Sequence, residues 1–429
     1  MGALWLSAGA MAEGAPLGAA PGGAATASPS LVAASPSPVT ASPSPVTVSA
    51  APGHGVTFAS RDERFALTLR SRLQLRSTLV HAAGSSTSGL VIKTVRLSAA
   101  GHLLDPDLRF SLQLALGDGD FERESASPIF DAFLELVRYR DLNLRVGQFF
   151  VPFDRARTVR EFALQLVDRP QLVRELTLDR DVGLMLSSVD LFGTRVLGYH
   201  LFLGSGEGRN RFGAQVLGPL VVARLVLRPW GAFDDDSEGD LLRERRPRLA
   251  FGLAGAYNHR TQRQQSTSGA TFTLGTTNDW HAAVDLVFKY RGCSLLAEAL
   301  LRRVTRDHLD GVVDGAVDGA VDGAVDGAVD EQAPREWTRS GYGYLVQVGL
   351  MVHRRIELAA RWEQLFAWNR RTDPQLQGFA QAQGWPIGGG VNLYLNGHAL
   401  KLQGDYFFIF GPDDRSGRHL ARLQLDASF

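Results

Sequence analysis

The chain has 429 residues, 45 basic and 45 acidic side chains, and one cysteine, Cys293. Zero formal net charge gives no steer towards nucleic acid, and a lone cysteine excludes an internal disulfide or a cysteine metal site. No apolar run reaches the roughly eighteen residues of a membrane-crossing helix, a test that barrel strands, apolar on one face only, do not meet either.

Residues 1–12 hold Leu4-Trp5-Leu6 and then Ala10-Met11-Ala12, which fits the small-x-small cleavage rule before Glu13. The basic region of a secretory signal is missing, so the segment reads as a signal-peptide remnant behind a misassigned start. Residues 13–60 are dominated by Ala, Pro, Ser and Gly, with a tandem copy at Ala34–Thr40 and Ala41–Thr47. Such a composition builds no core and predicts a disordered tether.

From residue 61 onward the texture changes. Phe65, Leu67, Leu69, Leu73, Leu75 and Leu79 share one parity, and Arg70, Arg72, Gln74 and Arg76 the other. Alternate side chains of a strand point to opposite faces, so this segment reads as a wall between lipid and water. The pattern recurs at Leu108–Leu114, Leu142–Val146, Val221–Leu227, Trp280–Tyr290, Ile356–Trp362 and Leu400–Phe410. It ends at Ala421, Leu423, Leu425, Ala427 and a terminal Phe429, read as the assembly signal. About sixteen such segments predict an all-β fold over 61–429: a closed antiparallel transmembrane β-barrel. Longer interruptions fall at 152–180, 303–338 and 366–385. The second holds Val-Asp-Gly-Ala repeats at Val313–Ala328 and reads as a flexible extracellular loop, since its four-residue acid spacing matches no calcium loop.

No nucleophile elbow or zinc-hydrolase motif is present, so neither an enzyme activity nor a cofactor is expected. The conspicuous chemistry is arginine. Only Lys93, Lys289 and Lys401 are lysines. Arg70, Arg72, Arg76, Arg109 and Arg145 fall on inward parities, along with the acids Asp131, Glu135, Asp285, Glu298, Glu357 and Glu363. Guanidinium groups on a narrow lumen raise the local anion concentration.

Gly147-Gln148-Phe149, Pro152-Phe153 and Arg180-Asp181-Val182-Gly183 resemble, in order and spacing, the motifs of the phosphate-selective porins O and P. The resemblance implies a sixteen-stranded outer-membrane porin, usually a homotrimer, inserted by the barrel assembly machinery. Its constriction loop would be 152–180, adding Arg155, Arg157, Arg160, Arg169 and Arg180 to the anion pathway. Phe150 stands where the family often has Lys, and the chain has almost no lysine for the family's lysine rings. The expected function is a passive Gram-negative outer-membrane porin for phosphate or other small anions. A general diffusion porin and a structural or adhesive outer-membrane protein remain the alternatives.

Overall fold

The structure is a computed structural model that describes residues 46–429, apart from 118–119, 122–126, 212–217, 274, 307–335, 369–373 and 412–416. The signal-like residues, the tether up to residue 45 and the Val-Asp-Gly-Ala repeats lie outside the described residues.

A hairpin, β1 (Val46–Ala51) and β2 (Gly55–Ser60), comes first. Then follow β3 (Phe65–Ala82), β4 (Ser85–Leu103), β5 (Asp105–Ala115), β6 (Ile129–Tyr139), β7 (Leu142–Phe150) and β8 (Arg180–Ser188). Next are β9 (Leu197–Gly204), β10 (Leu220–Leu227), β11 (Arg248–Thr261), β12 (Thr277–Tyr290) and β13 (Cys293–Arg306). The last five are β14 (Gly341–His353), β15 (Ile356–Ala367), β16 (Trp385–Asn396), β17 (Leu400–Phe410) and β18 (Arg418–Ser428). Each of the sixteen strands from β3 to β18 pairs antiparallel with its sequence neighbours. The ring closes where β18 pairs with β3, from Arg418↔Ala82 to Ser428↔Arg72. Along this seam no backbone groups are left unpaired towards lipid.

The expected tether boundary at residue 60 is corrected. β2 pairs with β3 from Val56↔Leu69 to Ala59↔Ala66, just beyond the point where β18 ends. There Phe429 exchanges backbone hydrogen bonds with Ser71 at 2.9 and 3.1 Å. β3 is longer than its closing partner, and the hairpin takes up the edge left over.

Alternation decides which face meets lipid. Leu225, Leu253, Val284, Leu358 and Leu423 are exposed outside, while Arg224, Asp285, Glu357 and Gln403 are buried inside. Aromatic side chains of the outward row pack in pairs, as with Tyr257–Trp280 (4.4 Å between centroids), Tyr342–Phe366 (5.3 Å) and Trp385–Phe410 (5.8 Å). Such residues suit the interface between headgroups and water. One bulge alters the parity: Gln74 faces Thr94 but Leu75 faces Ile92, so Lys93 is left over and lines the lumen side.

Short turns such as Arg140-Asp141, Arg291-Gly292 and Arg354-Arg355 lie at the end where the chain terminates, and longer connections at the other, apart from the two-residue turn Ala83-Gly84 between β3 and β4. Residues 228–247, between β10 and β11, break this rule with a long segment at the short-turn end.

Candidate functional site: an arginine-lined lumen

The segment after the fifth barrel strand, which the resemblance reads as a constriction loop, spans 151–179; Arg180 already belongs to β8. It carries two short helices, α1 (Arg155–Thr158) and α2 (Gln171–Leu176). Asp154 caps α1 by accepting from the Arg157 N–H at 2.6 Å. Phe153, Leu172, Val173 and Leu176 are fully buried against inward apolar residues of the wall, including Leu296, Leu300 and Leu345. Burial of these side chains folds the loop into the barrel rather than out into water.

Polar contacts then fix its path across the β11–β17 wall. Glu298 accepts from the Arg155 and Ala156 N–H groups, both at 3.0 Å. Lys401 donates to the carbonyls of Phe162 (2.9 Å) and Leu164 (2.8 Å), and Asp405 accepts from the Val167 N–H (3.0 Å). Gln165 donates to Glu357 Oε1 at 2.6 Å, and Asn392 to the Gln165 carbonyl at 2.8 Å. This half of the lumen is packed solid.

The other half is not. On β3–β7 the inward Arg70, Arg72, Ser98, Arg109, Ser111 and Gln113 are half-buried, and Arg160 on the facing loop is exposed. Arg72 pairs with Asp426 (Nε to Oδ1, 2.9 Å). Arg76 donates to Gln424 (2.9 Å), to Asp168 Oδ2 (2.8 Å) and to the Val167 carbonyl (2.9 Å). Arg70 donates to the His54 carbonyl of the β1–β2 turn at 2.9 Å, so the hairpin touches the lumen mouth.

Glu161 is the centre of this group, with Arg72, Arg96 and Arg169 guanidinium nitrogens 3.8 to 3.9 Å away. Burial alone would raise its carboxyl, but Arg169, Arg96 and Arg72 together pull it down to about 2. Asp168 behaves likewise: burial pushes it up, and Arg76, Arg422 and Lys93 outweigh that and lower it. Where the loop edge meets β3 and β4, a cavity of about 20 Å³ lies among Gln74, Arg76, Lys93, Glu161, Asp168 and Arg169, room for one water.

The arginines expected to line the pathway separate into two groups. Arg70, Arg72, Arg109, Arg157, Arg160 and Arg169 keep solvent-facing surface, whereas Arg76, Arg145, Arg155 and Arg180 are buried. Arg155 has no such surface: its Nε donates to Asp285 Oδ1 at 2.6 Å, and its Nη1 to Asp235 Oδ2 at 3.0 Å, so it clamps rather than lines. Arg145 pairs with Glu135 at 2.7 Å, and Arg157 with Asp179 at 2.7 Å. Arg180 pairs with Asp131 at 2.8 Å and is stacked between Phe130 and Phe150, 3.4 and 3.5 Å from the ring centres. The aromatic Phe150, at a position where the resembled porins often carry Lys, is thus one wall of a guanidinium sandwich.

The motif residues are structural. Gly147 has φ +133°, and a Cβ there would sit 2.2 Å from the Ala132 carbonyl oxygen. Gln148 accepts from the Asn210 N–H at 2.8 Å. Phe149 packs edge-on against Phe202. Asp181 accepts from the Ser205 hydroxyl (2.6 Å) and the Gly206 N–H (2.7 Å), tying down the β9–β10 loop. At Gly183 a Cβ would fall 2.4 Å from the Leu203 carbonyl oxygen. Pro152 makes the corner into the loop. The sequence reading missed Lys401, Asn392 and the acidic stretch Asp234–Asp240; a Pro-Trp-Gly followed by three aspartates was the available signal.

The fold is that of outer-membrane porins. The chain is similar to the anion-selective porin from Comamonas acidovorans (TM-score 0.54, 12% identity, 85% of this chain and 100% of that one). It is also similar to the outer-membrane channel DcaP of Acinetobacter baumannii (0.52, 13%, 88% and 100%) and to Salmonella typhi OmpF (0.52, 13%, 86% and 99%). No family model and no curated protein sequence matches.

Proposed function

We propose that the protein is a passive porin of the Gram-negative outer membrane that passes small anions, phosphate or polyphosphate among them. The observation that carries this reading is the sorting of charge across the lumen. The wetted strip presents Arg70, Arg72, Lys93, Arg109, Arg157, Arg160 and Arg169, and the partly exposed acids among them, Asp120, Asp131, Glu161, Asp168 and Asp179, are each held by one or more guanidinium groups. A basic strip facing low-dielectric walls raises the local anion concentration, and several exchanging sites allow exit as well as entry. No chemical step is involved. The similar anion-selective porin makes the reading consistent with its fold, and a homotrimer inserted by the barrel assembly machinery belongs to the same proposal.

The test is the reversal potential of the reconstituted protein across a potassium chloride gradient, followed by phosphate titration. Anion preference with current reduced by phosphate supports the reading. Preference without a phosphate effect limits it to small anions in general, and cation preference or no conductance refutes it.

A further inference from the structure

The long connection at the short-turn end, residues 228–247, enters the barrel and meets the constriction loop inside it. The Glu238 N–H donates to the Ala163 carbonyl at 3.3 Å, and the Gln165 N–H donates back to Glu238 Oε2 at 2.7 Å. That same carboxylate oxygen accepts from Gln347 of β14 at 2.7 Å. Asp235 receives Arg155 from the loop at 3.0 Å and Arg228 from its own stem at 3.0 Å. Lys289 of β12 donates to the Asp234 carbonyl (2.7 Å) and the Ser237 hydroxyl (2.8 Å). Gly239 lies so close to Glu357 of β15 that a Cβ would come within 2.5 Å of its carboxylate oxygen. The segment is therefore bonded on three sides: to the loop above it, to the β12–β15 wall behind it and to its own stem.

A turn does not need this length. Leu227 and Phe251 are direct partners on β10 and β11, and adjacent antiparallel strands are joined by a few residues elsewhere in this barrel. Three of its acids, Asp235, Glu238 and Asp240, are buried and spent on internal donors, while Asp234 and Asp236 stay exposed. A buried carboxylate is retained only where donors surround it, and here those donors come from the two elements being joined.

We infer that residues 228–247 are a second constriction element, which interlocks with the loop through Glu238–Gln165 and Asp235–Arg155 and sets the size limit of the pore. Together the two segments partition the lumen. Behind them lies the β11–β15 wall, whose Asp285, Glu298 and Glu357 are withdrawn from water; in front lies the β3–β7 strip. This rests on the porin reading, but it concerns width rather than charge.

Two measurements test it on the full-length chain. In the first, residues 229–247 are replaced by Asn-Gly, and unit conductance and the rate of liposome swelling with uncharged sugars are compared with the parent. The expected result is a higher conductance and entry of larger sugars; unchanged values for both overturn the inference. The second needs no deletion and so survives if the shortened chain fails to fold. In a Cys293→Ser background, Ala283→Cys behind the partition and Ser111→Cys on the strip are exposed to a charged, water-soluble thiol reagent. Ser111→Cys reacts and alters the current, while Ala283→Cys is protected; equal reaction rates overturn the partition. A channel without anion preference would refute the proposed selectivity and leave both of these readouts intact.

Discussion

Arg155 and Asp285 form an ion pair of 2.6 Å in which neither side chain meets solvent. Arg155 stands at the start of α1 and Asp285 in the middle of β12, so the bond fastens the constriction loop to the barrel wall. The same guanidinium reaches Asp235 of the second inward segment. One side chain thereby joins three elements that are far apart in sequence. Burial disfavours its charge, but Asp285 and Asp235 outweigh that and hold the guanidinium above its ordinary range.

Truncation of this side chain leaves two buried carboxylates short of a donor. Removing one partner of a buried pair costs about 3–5 kcal/mol. Arg155→Ala is therefore expected to lower the temperature at which the purified barrel loses its folded, fast-migrating form on electrophoresis. It should also increase open-channel current noise, because the loop loses its anchor. Arg155→Lys should rescue only in part: an ammonium cannot reproduce the fork that serves Asp285 and Asp235 from separate nitrogens.

Charge on the strip should set selectivity. Arg160 is exposed on the loop and Arg70 half-buried on the facing strand, so reversing either changes the wetted field without opening the packed half. Arg160→Glu and Arg70→Glu are each expected to move the reversal potential towards the cation side, and the double variant further. Arg155→Gln, behind the loop surface, should change selectivity much less than either. Raising the salt concentration should shrink all three differences, since exposed charges are screened within about 10 Å at 0.1 M.

The strands and their closure into one barrel were legible in the sequence because alternation and turn residues are local signals. The side of the loop on which each arginine ends was not. Arg155 and Arg160 are five residues apart in one arginine-rich stretch, yet one is fully buried against Asp285 and the other faces water. That difference is set by α1 and by contacts with β12, β13 and residues 228–247, none of which a local pattern encodes. Lys93 was equally hidden, since the bulge opposite Gln74 and Leu75 shifts parity within β4. The hairpin β1–β2 was masked by composition: its Val, Thr and Ala residues adjoin a Pro-rich tract, and only the free edge of β3 makes them a strand pair.

Glu161 gives a prediction about pH. Its carboxyl lies at about 2 in the folded protein, below the ordinary 4.5, because the pull of three arginines exceeds the penalty of burial. A carboxyl lowered on folding contributes stability that is full above its ordinary value and lost as pH falls towards the folded value. The interval is therefore about pH 4.5 to 2. Glu161→Gln should remove the part of acid sensitivity that falls there, read from thermal unfolding at stepped pH. At neutral pH the same change deletes a negative charge from the strip, so anion preference should rise. A variant that loses acid sensitivity without that rise would place Glu161 in loop anchoring alone.

Phe429 separates folding from assembly. Its side chain is 64% exposed, so its removal withdraws little packing from the finished barrel. Its backbone, by contrast, exchanges hydrogen bonds with Ser71 and completes the seam between β18 and β3. Phe429→Ala keeps that backbone pairing. It is expected to leave the thermal stability of detergent-refolded protein within about 0.5 kcal/mol of the parent, as for other exposed sites. Deleting Phe429 also removes the two seam bonds, each worth roughly 1 kcal/mol, and should lower stability measurably. In cells, both changes should reduce the amount of folded barrel recovered from the outer membrane if the aromatic terminus is read during insertion. Equal recovery of the alanine variant and the parent would mean that the aromatic ring has no part in assembly.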